Sequence, residues 1–285
     1  MKPILALSGV TLRFGGLVAV DDVTLDVLAG EIRALIGPNG AGKSTIFNLV
    51  TGVYRANQGN IQFEERAIGG IAPHRLAGLG IARTFQNIRL FSELTLLENV
   101  LIGAHSQSRQ GLGQALLRLP IFQADEGRLR EQALEALAFM GLEGKAKEKA
   151  RNLPYGEQRR LEIARALAAK PRLILLDEPA AGMNPQEKST LMQTIRRIRD
   201  AGVTVFLIEH DMRVVMGISD RVAVLNYGRK IADGLPAEVR ANRDVVEAYL
   251  GTGQARVRSR VRQAAAVSPA TGTAALEGGA GHAGD

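Results

Sequence analysis

Residues 4–14 and 18–27 are rich in Val, Ile, Leu and Thr, and apolar positions partly alternate with polar ones. That pattern predicts two strands. Residues 31–36 read as a buried strand, followed by a glycine-rich turn and a helix over 44–50. Residues 60–64 and 81–86 predict further short strands, and Pro73 opens a short helix reaching residue 79. A helix over 156–169 stops near Lys170-Pro171. Residues 173–177 form an apolar run ending in an acid, as strands buried on both faces do. A helix (185–201), a strand (203–208), a helix (211–217) and a strand (221–226) follow. Strand and helix alternate, so the chain is of the α/β class, with a largely parallel sheet carrying helices on both faces.

Two stretches depart from this rhythm. From about 96 to 142 strand signals fade, and Leu129, Ala133, Leu137 and Met140 build one apolar stripe at helical spacing that ends at Gly141-Leu-Glu-Gly144. Residues 90–165 are therefore expected to be a mostly helical insertion, with a polar loop at 107–114. After Leu250 large apolar residues almost vanish and Ala, Gly, Thr and Arg dominate. Such a segment cannot bury enough surface to offset chain entropy. Residues 1–250 are expected to form one domain and 251–285 a disordered tail, with transient helix around 257–267.

Composition narrows the function classes. The chain has 285 residues, 46% hydrophobic, enough for a sizeable core. It has no cysteine, which excludes disulfides, thiol nucleophiles and Cys-ligated zinc. It has no tryptophan and only 4% aromatics, which argues against base-stacking platforms. Net charge is +7; four arginines against two acids after Leu250 place +2 of it in the tail. The rest is diffuse, which reads as a solvated surface and not a nucleic-acid face. No run approaches the roughly 18 apolar residues that cross a bilayer. The N-terminus passes straight into a strand pattern and not a secretory leader. The protein is expected to be soluble, or held at a membrane by partners.

The candidate chemistry lies between residues 37 and 44. Gly37-Pro-Asn-Gly-Ala-Gly-Lys-Ser44 fits G-x-x-x-x-G-K-[ST] between a strand and a helix. Gly37, Gly40 and Gly42 permit backbone angles that turn consecutive N–H groups onto phosphate oxygens. Lys43 supplies a point charge for the β- and γ-phosphates, Ser44 a hydroxyl for Mg²⁺, and the helix N-terminus faces the anion. Asp177 ends the apolar strand where ligands of open α/β sheets bind, placed to hold Mg²⁺. Glu178 follows it, placed to take a proton from an attacking water.

With these motifs in order, residues 4–250 resemble the ATP-binding-cassette ATPases, a P-loop fold with N-terminal antiparallel strands, a mostly parallel core sheet and a helical subdomain. The resemblance implies that Gln86, in Thr84-Phe-Gln-Asn87, senses Mg²⁺ and the attacking water. It implies that Leu153-Pro-Tyr-Gly-Glu-Gln158 is the signature motif, Gly182-Met-Asn-Pro185 the D-loop, and His210, in Ile208-Glu-His-Asp211, the switch histidine at the γ-phosphate. The ATP contacts it implies are Phe14 against adenine, then Gly37, Pro38, Asn39, Gly40, Ala41, Gly42, Lys43, Ser44 and Thr45. Tyr155, Gly156 and Glu157 would contact a partner's nucleotide. Ser44, Gln86 and Asp177 would serve Mg²⁺.

Pro154, Tyr155 and Glu157 depart from the family's Leu-Ser-Gly-Gly-Gln, and Asn184 replaces the usual D-loop aspartate. Proline has neither hydroxyl nor N–H. An asymmetric dimer is expected, in which the site using Pro154 is the weaker. The motif stretches and the closing Val246-Glu-Ala-Tyr-Leu250 resemble the larger ATPase subunit of branched-chain amino acid importers. This implies a second ATPase subunit (heterodimer or homodimer), two transmembrane permease subunits, a periplasmic substrate-binding protein reached indirectly, and a place on the cytoplasmic face of a bacterial inner membrane. Urea or amide importers, lipopolysaccharide exporters and soluble cassette ATPases remain alternatives. His74, His105 and His282 read as surface residues.

Overall fold

The computed structural model describes residues 2–105 and 120–249, with side chains in the helix that opens the second stretch described from residue 126. The expected loop at 107–114, the tail and His282 lie outside the described residues. His74 and His105 are exposed.

A six-stranded sheet forms the centre, in the order β10-β9-β3-β8-β7-β6. Its strands are β3 (Ile32–Ile36), β6 (Ile81–Arg83), β7 (Leu173–Asp177), β8 (Thr204–Ile208), β9 (Arg221–Asn226) and β10 (Arg229–Gly234). All neighbours pair parallel except the β9–β10 hairpin. β3, β7 and β8 are buried at every residue, which is why their sequences carry so little polarity. Side chains alternate between two cores, as the two-residue period requires. Ile32, Ala34, Ile36, Ile174, Leu176, Val205 and Leu207 face one core, and Leu35, Leu173, Leu175, Phe206 and Ile208 face the other.

The first core is closed by helices: α3 (Leu96–His105), α4 (Pro120–Phe139), α5 (Tyr155–Leu167), α6 (Pro185–Asp200), α7 (Met212–Ile218) and α8 (Pro236–Ala241). The stripe Leu129, Ala133, Leu137 and Met140 is buried here, as its spacing requires. The second core carries helices too, as expected, together with the antiparallel strands that the family resemblance implied. It is closed by α1 (Lys43–Val50), by Leu76 of α2 (Pro73–Gly78), and by an antiparallel sheet of order β2-β1-β4-β5. The strands of that sheet are β1 (Pro3–Phe14), β2 (Leu17–Leu28), β4 (Gln58–Phe63) and β5 (Arg66–Ala67). β1 and β2 bury Leu5, Leu7, Val10, Val20, Val23 and Leu25 on one face, and that apolar face completes this layer beside α1 and α2.

The strand expected over 81–86 ends at Arg83. The Thr84 N–H still donates to the Leu175 carbonyl at 2.9 Å, but the next carbonyls turn away to a buried arginine described below. The apolar pattern does not mark strand β10; only one of its six residues is an aliphatic other than alanine, and none is fully buried.

One buried charge fixes this edge. Arg33 on β3 is fully buried, and its Nη2 lies 2.6 Å from Asp233 on β10. Arg33 Nε and Nη1 have no hydrogen-bond partner among the described residues, so Asp233 compensates the charge. Burial alone would raise the Asp233 carboxyl, but hydrogen bonds and charge from Arg33 and Lys230 hold it below its ordinary value. Asp233→Ala is expected to destabilise the fold by about 3 kcal/mol, because it strands a buried guanidinium. The folded pKa is depressed, so this stabilisation is complete above the unfolded value of 3.8 and is lost as pH falls through the folded one. Urea unfolding of both forms at neutral and acid pH checks it: the gap should shrink at low pH.

Candidate active site

Four loops meet at the carboxyl edge of the parallel sheet, after β3, β6, β7 and β8. Adjacent parallel strands deliver their following loops to one side, so residues far apart in sequence converge.

The loop after β3 runs through Gly37, Gly40 and Gly42 at φ of 150°, 82° and 101°. A Cβ at Gly37 would lie 2.1 Å from the Leu225 carbonyl oxygen, and one at Gly42 2.7 Å from that of Ala19, so both positions exclude any side chain. Gly42 caps α1 without a side-chain hydrogen bond, leaving the first N–H groups of the helix available to an anion. Lys43 is buried, and its Nζ donates to the carbonyls of Gly37 at 2.7 Å and Pro38 at 3.0 Å. Burial lowers its pKa, while the charges of Glu178 and Asp177 pull it back up.

An open cleft of about 540 Å³ lies over this loop. Its lining includes Asn39, Gly40, Ala41, Gly42, Lys43, Ser44 and Thr45, with Phe14, Leu17, Val18 and Ala19 at one end and Gln86 and Glu178 at the other. Phe14 is 45% exposed and packs edge-on against Tyr54 at 5.1 Å between centroids. An apolar, aromatic end and an N–H-rich, cationic end suit a nucleotide triphosphate.

The three residues singled out for catalysis are together. Gln86 Nε2 donates to Glu178 Oε2 at 3.1 Å, and His210 Nδ1 lies 3.5 Å from the same oxygen. The Glu178 N–H continues the sheet ladder onto the Ile208 carbonyl at 2.9 Å, yet its φ is 47°. A glutamate in the left-handed region is strained, and such strain gathers at functional sites. The turn at Glu178 releases its side chain from the ladder direction and into the cleft.

Asp177 does not line the cleft. It is 4% exposed and accepts from Arg83 Nη2 at 3.0 Å, while Arg83 Nη1 also donates to Asn48 and Thr51. Tyr155, Gly156 and Glu157 are also outside it. Pro154 is the N-cap of α5 in an extended conformation, the Tyr155 ring lies against Gly182, and Glu157 pairs with Lys145 at 2.6 Å. Asn184 caps α6: its Oδ1 accepts from the Glu187 N–H, and Glu187 accepts from the Asn184 N–H, both at 2.9 Å.

Several residues here escape a sequence reading. Arg159 and Glu162 on α5 are both fully buried and pair at 2.7 Å. Arg159 donates to the carbonyls of Phe85 and Gln86, both at 2.7 Å, and Glu162 accepts from the Phe85 N–H at 3.3 Å. The pair clasps the Gln86 loop to the helix that begins at Tyr155. Opposite charges three apart on a helix are the only sequence signal, and that spacing usually marks a solvated pair.

The ABC transporter family profile matches residues 20–181, and a second profile, described as branched-chain amino acid ATP-binding cassette transporter, matches 229–255. The high-affinity branched-chain amino acid transport ATP-binding protein LivG of Salmonella typhimurium is 47% identical over 251 residues, covering 88% of this chain and 98% of that one. The protein of the same description named BraF, from Pseudomonas aeruginosa, is 46% identical with the same coverage. Among solved structures, a nucleotide-free ATP-binding cassette from an ABC transporter superposes with a TM-score of 0.77 at 33% identity, covering 87% of this chain and 99% of that one. A cassette captured as a dimer after hydrolysis, bound to ADP and phosphate, gives 0.68 at 28% identity, covering 81% and 98%. With the phosphate loop, Gln86 and Glu178 lining one cleft and His210 3.5 Å from Glu178, the chain belongs to the ABC transporter family as an ATP-hydrolysing subunit.

Proposed function

We propose that this ATPase powers an importer of branched-chain or closely related amino acids. The convergence of Gln86 and His210 on Glu178 beside the phosphate loop supports the catalytic half of that reading. The descriptions of relatives at 46% and 47% identity support the substrate half.

In this reading ATP lies along the cleft, with adenine against Phe14 and its phosphates on the 37–45 loop, where Lys43 exchanges its carbonyl partners for phosphate oxygens. Ser44 and Gln86 offer oxygen donors fit for Mg²⁺, with Asp177 behind them once Arg83 yields. Among the described residues no group of three or more acids or histidines forms a metal site by itself, so phosphate and water would complete the shell. Bound Mg²⁺ would neutralise charge on the β- and γ-phosphates. Glu178 takes the proton of the attacking water, Gln86 orients that water, and His210 donates to the γ-phosphate.

Tyr155, Gly156 and Glu157, set away from their own cleft, meet the nucleotide of a second ATPase subunit head to tail. Pro154 makes that composite site the weaker of the two. Residues 1–250 act as one ATPase unit, with 90–165 as its helical subdomain. Residues 88–99 and the neighbouring groove between α2, β6, α3 and α5, lined by Val53, Leu76, Phe85 and Ile102, receive the permease subunits. The Arg159–Glu162 clasp would carry that docking to Gln86. No described helix is long and apolar enough to cross a membrane. The chain therefore reaches the cytoplasmic face of the inner membrane through the permease.

Affinity purification of the tagged chain from gently solubilised membranes tests this. A second cassette ATPase and two polytopic proteins should co-purify, and the associated binding protein should take branched-chain amino acids. Recovery of the chain alone would overturn the transporter assembly, and a binding protein specific for urea or amides would overturn the substrate.

A further inference from the structure

Glu209 directly follows β8, and its side chain is fully buried. Its carboxylate accepts three backbone N–H groups: Oε1 takes Ala180 at 2.8 Å, and Oε2 takes His210 at 3.1 Å and Asp211 at 3.3 Å. Burial raises its pKa, and those three N–H groups and His210 oppose the rise. A carboxylate in such a place is costly, and an apolar residue could end the strand as well. Its geometry shows what the acid adds. The β7–β8 pairing closes at Asp177 opposite Ile208, with the Glu178 N–H on the Ile208 carbonyl as its last rung. Beyond that rung the two chains separate into the Glu178 loop and the His210 loop. Glu209 spans the gap, binding Ala180, two residues after Glu178, and the N–H of His210 itself.

We propose that Glu209 is a positioning residue for ATP hydrolysis, a side-chain rung that holds Glu178 and His210 in register as one rigid unit. This rests on the catalytic roles proposed for those two residues. Glu209 is buried and lies outside the cleft lining, so it acts through its neighbours. It should govern turnover and leave ATP affinity unchanged, because the phosphate loop belongs to a different strand end.

The test uses the full chain co-expressed with its transporter partners. Four forms are compared: unsubstituted, Glu209→Gln, His210→Ala and the double variant. Phosphate release, equilibrium ATP binding and amide exchange at Ala180, His210 and Asp211 are measured. Glu209→Gln replaces one acceptor oxygen with a donor that faces an N–H. It should lower kcat about tenfold or more, leave the ATP Kd within about twofold, and lose protection at those amides. The double variant should be slower than His210→Ala by clearly less than the factor that Glu209→Gln costs alone, since only Glu178 is then left to position. Normal turnover in Glu209→Gln beside a slow His210→Ala overturns the inference and leaves the site reading intact. A fast His210→Ala overturns the site reading itself. Multiplying defects in the double variant would show that Glu209 acts independently of His210, against the proposal. If Glu209→Gln does not fold, Glu209→Asp keeps the charge but is one methylene too short to span both loops. The same loss of kcat alone is expected there, and normal turnover with Ala180 unprotected overturns the proposal.

Discussion

Glu178→Gln is expected to trap ATP without hydrolysing it. The carboxylate sits at the cleft end of the phosphate loop, with Gln86 and His210 both on its Oε2. Removing a general base slows the chemical step by about 10²- to 10⁴-fold. The amide keeps the shape and one acceptor, so Gln86 retains a partner and the loop its geometry. Losing a negative charge beside the γ-phosphate should hold or tighten nucleotide binding. Phosphate release and retained nucleotide after gel filtration, measured on the same sample, separate the two effects. Loss of turnover with ATP retained is the expected pair; turnover near that of the unsubstituted chain would remove Glu178 from the chemistry.

Lys43→Ala has the opposite signature. The Lys43 ammonium is buried and held by the carbonyls of Gly37 and Pro38. Those carbonyls aim the charge at the space over the loop before any nucleotide arrives, so phosphate binding costs little rearrangement. Charge-assisted hydrogen bonds to phosphate contribute about 2–3 kcal/mol, so the variant should raise the ATP Kd by roughly two orders of magnitude. The fold should survive, because Lys43 lines the open cleft and water can enter the space its side chain leaves beside the two carbonyls. Calorimetric titration with ATP and a thermal melt check both halves. A weakened Kd with an unchanged melt is the expected result, and an unchanged Kd would mean that the loop does not bind the phosphates.

Both predictions concern residues that are legible in the amino-acid sequence. Gly37 to Ser44 can be read because each residue type answers a local demand, glycines for backbone angles and lysine for charge. Asp177-Glu178 can be read because it ends an apolar run long enough to be a buried strand, whereas His210 is read only through the motif order of the family it resembles. The stripe from Leu129 to Met140 can be read because helical spacing needs no distant partner.

The features that escape such a reading depend on which strands become neighbours. The strand over 81–86 stops early because Arg159, some seventy residues away, captures the carbonyls of Phe85 and Gln86. Asp177 turns to Arg83 because β6 lies beside β7 in parallel register. The sequence by itself determined the phosphate loop, the acid-tipped strand and the α/β class, since spacing and residue type settle local conformation. Only the tertiary structure decided the strand order, the meeting of Gln86, Glu178 and His210, and the partners of Arg83, Arg159 and Glu209. Those rest on contacts between segments whose separation along the chain carries no record of their distance in space.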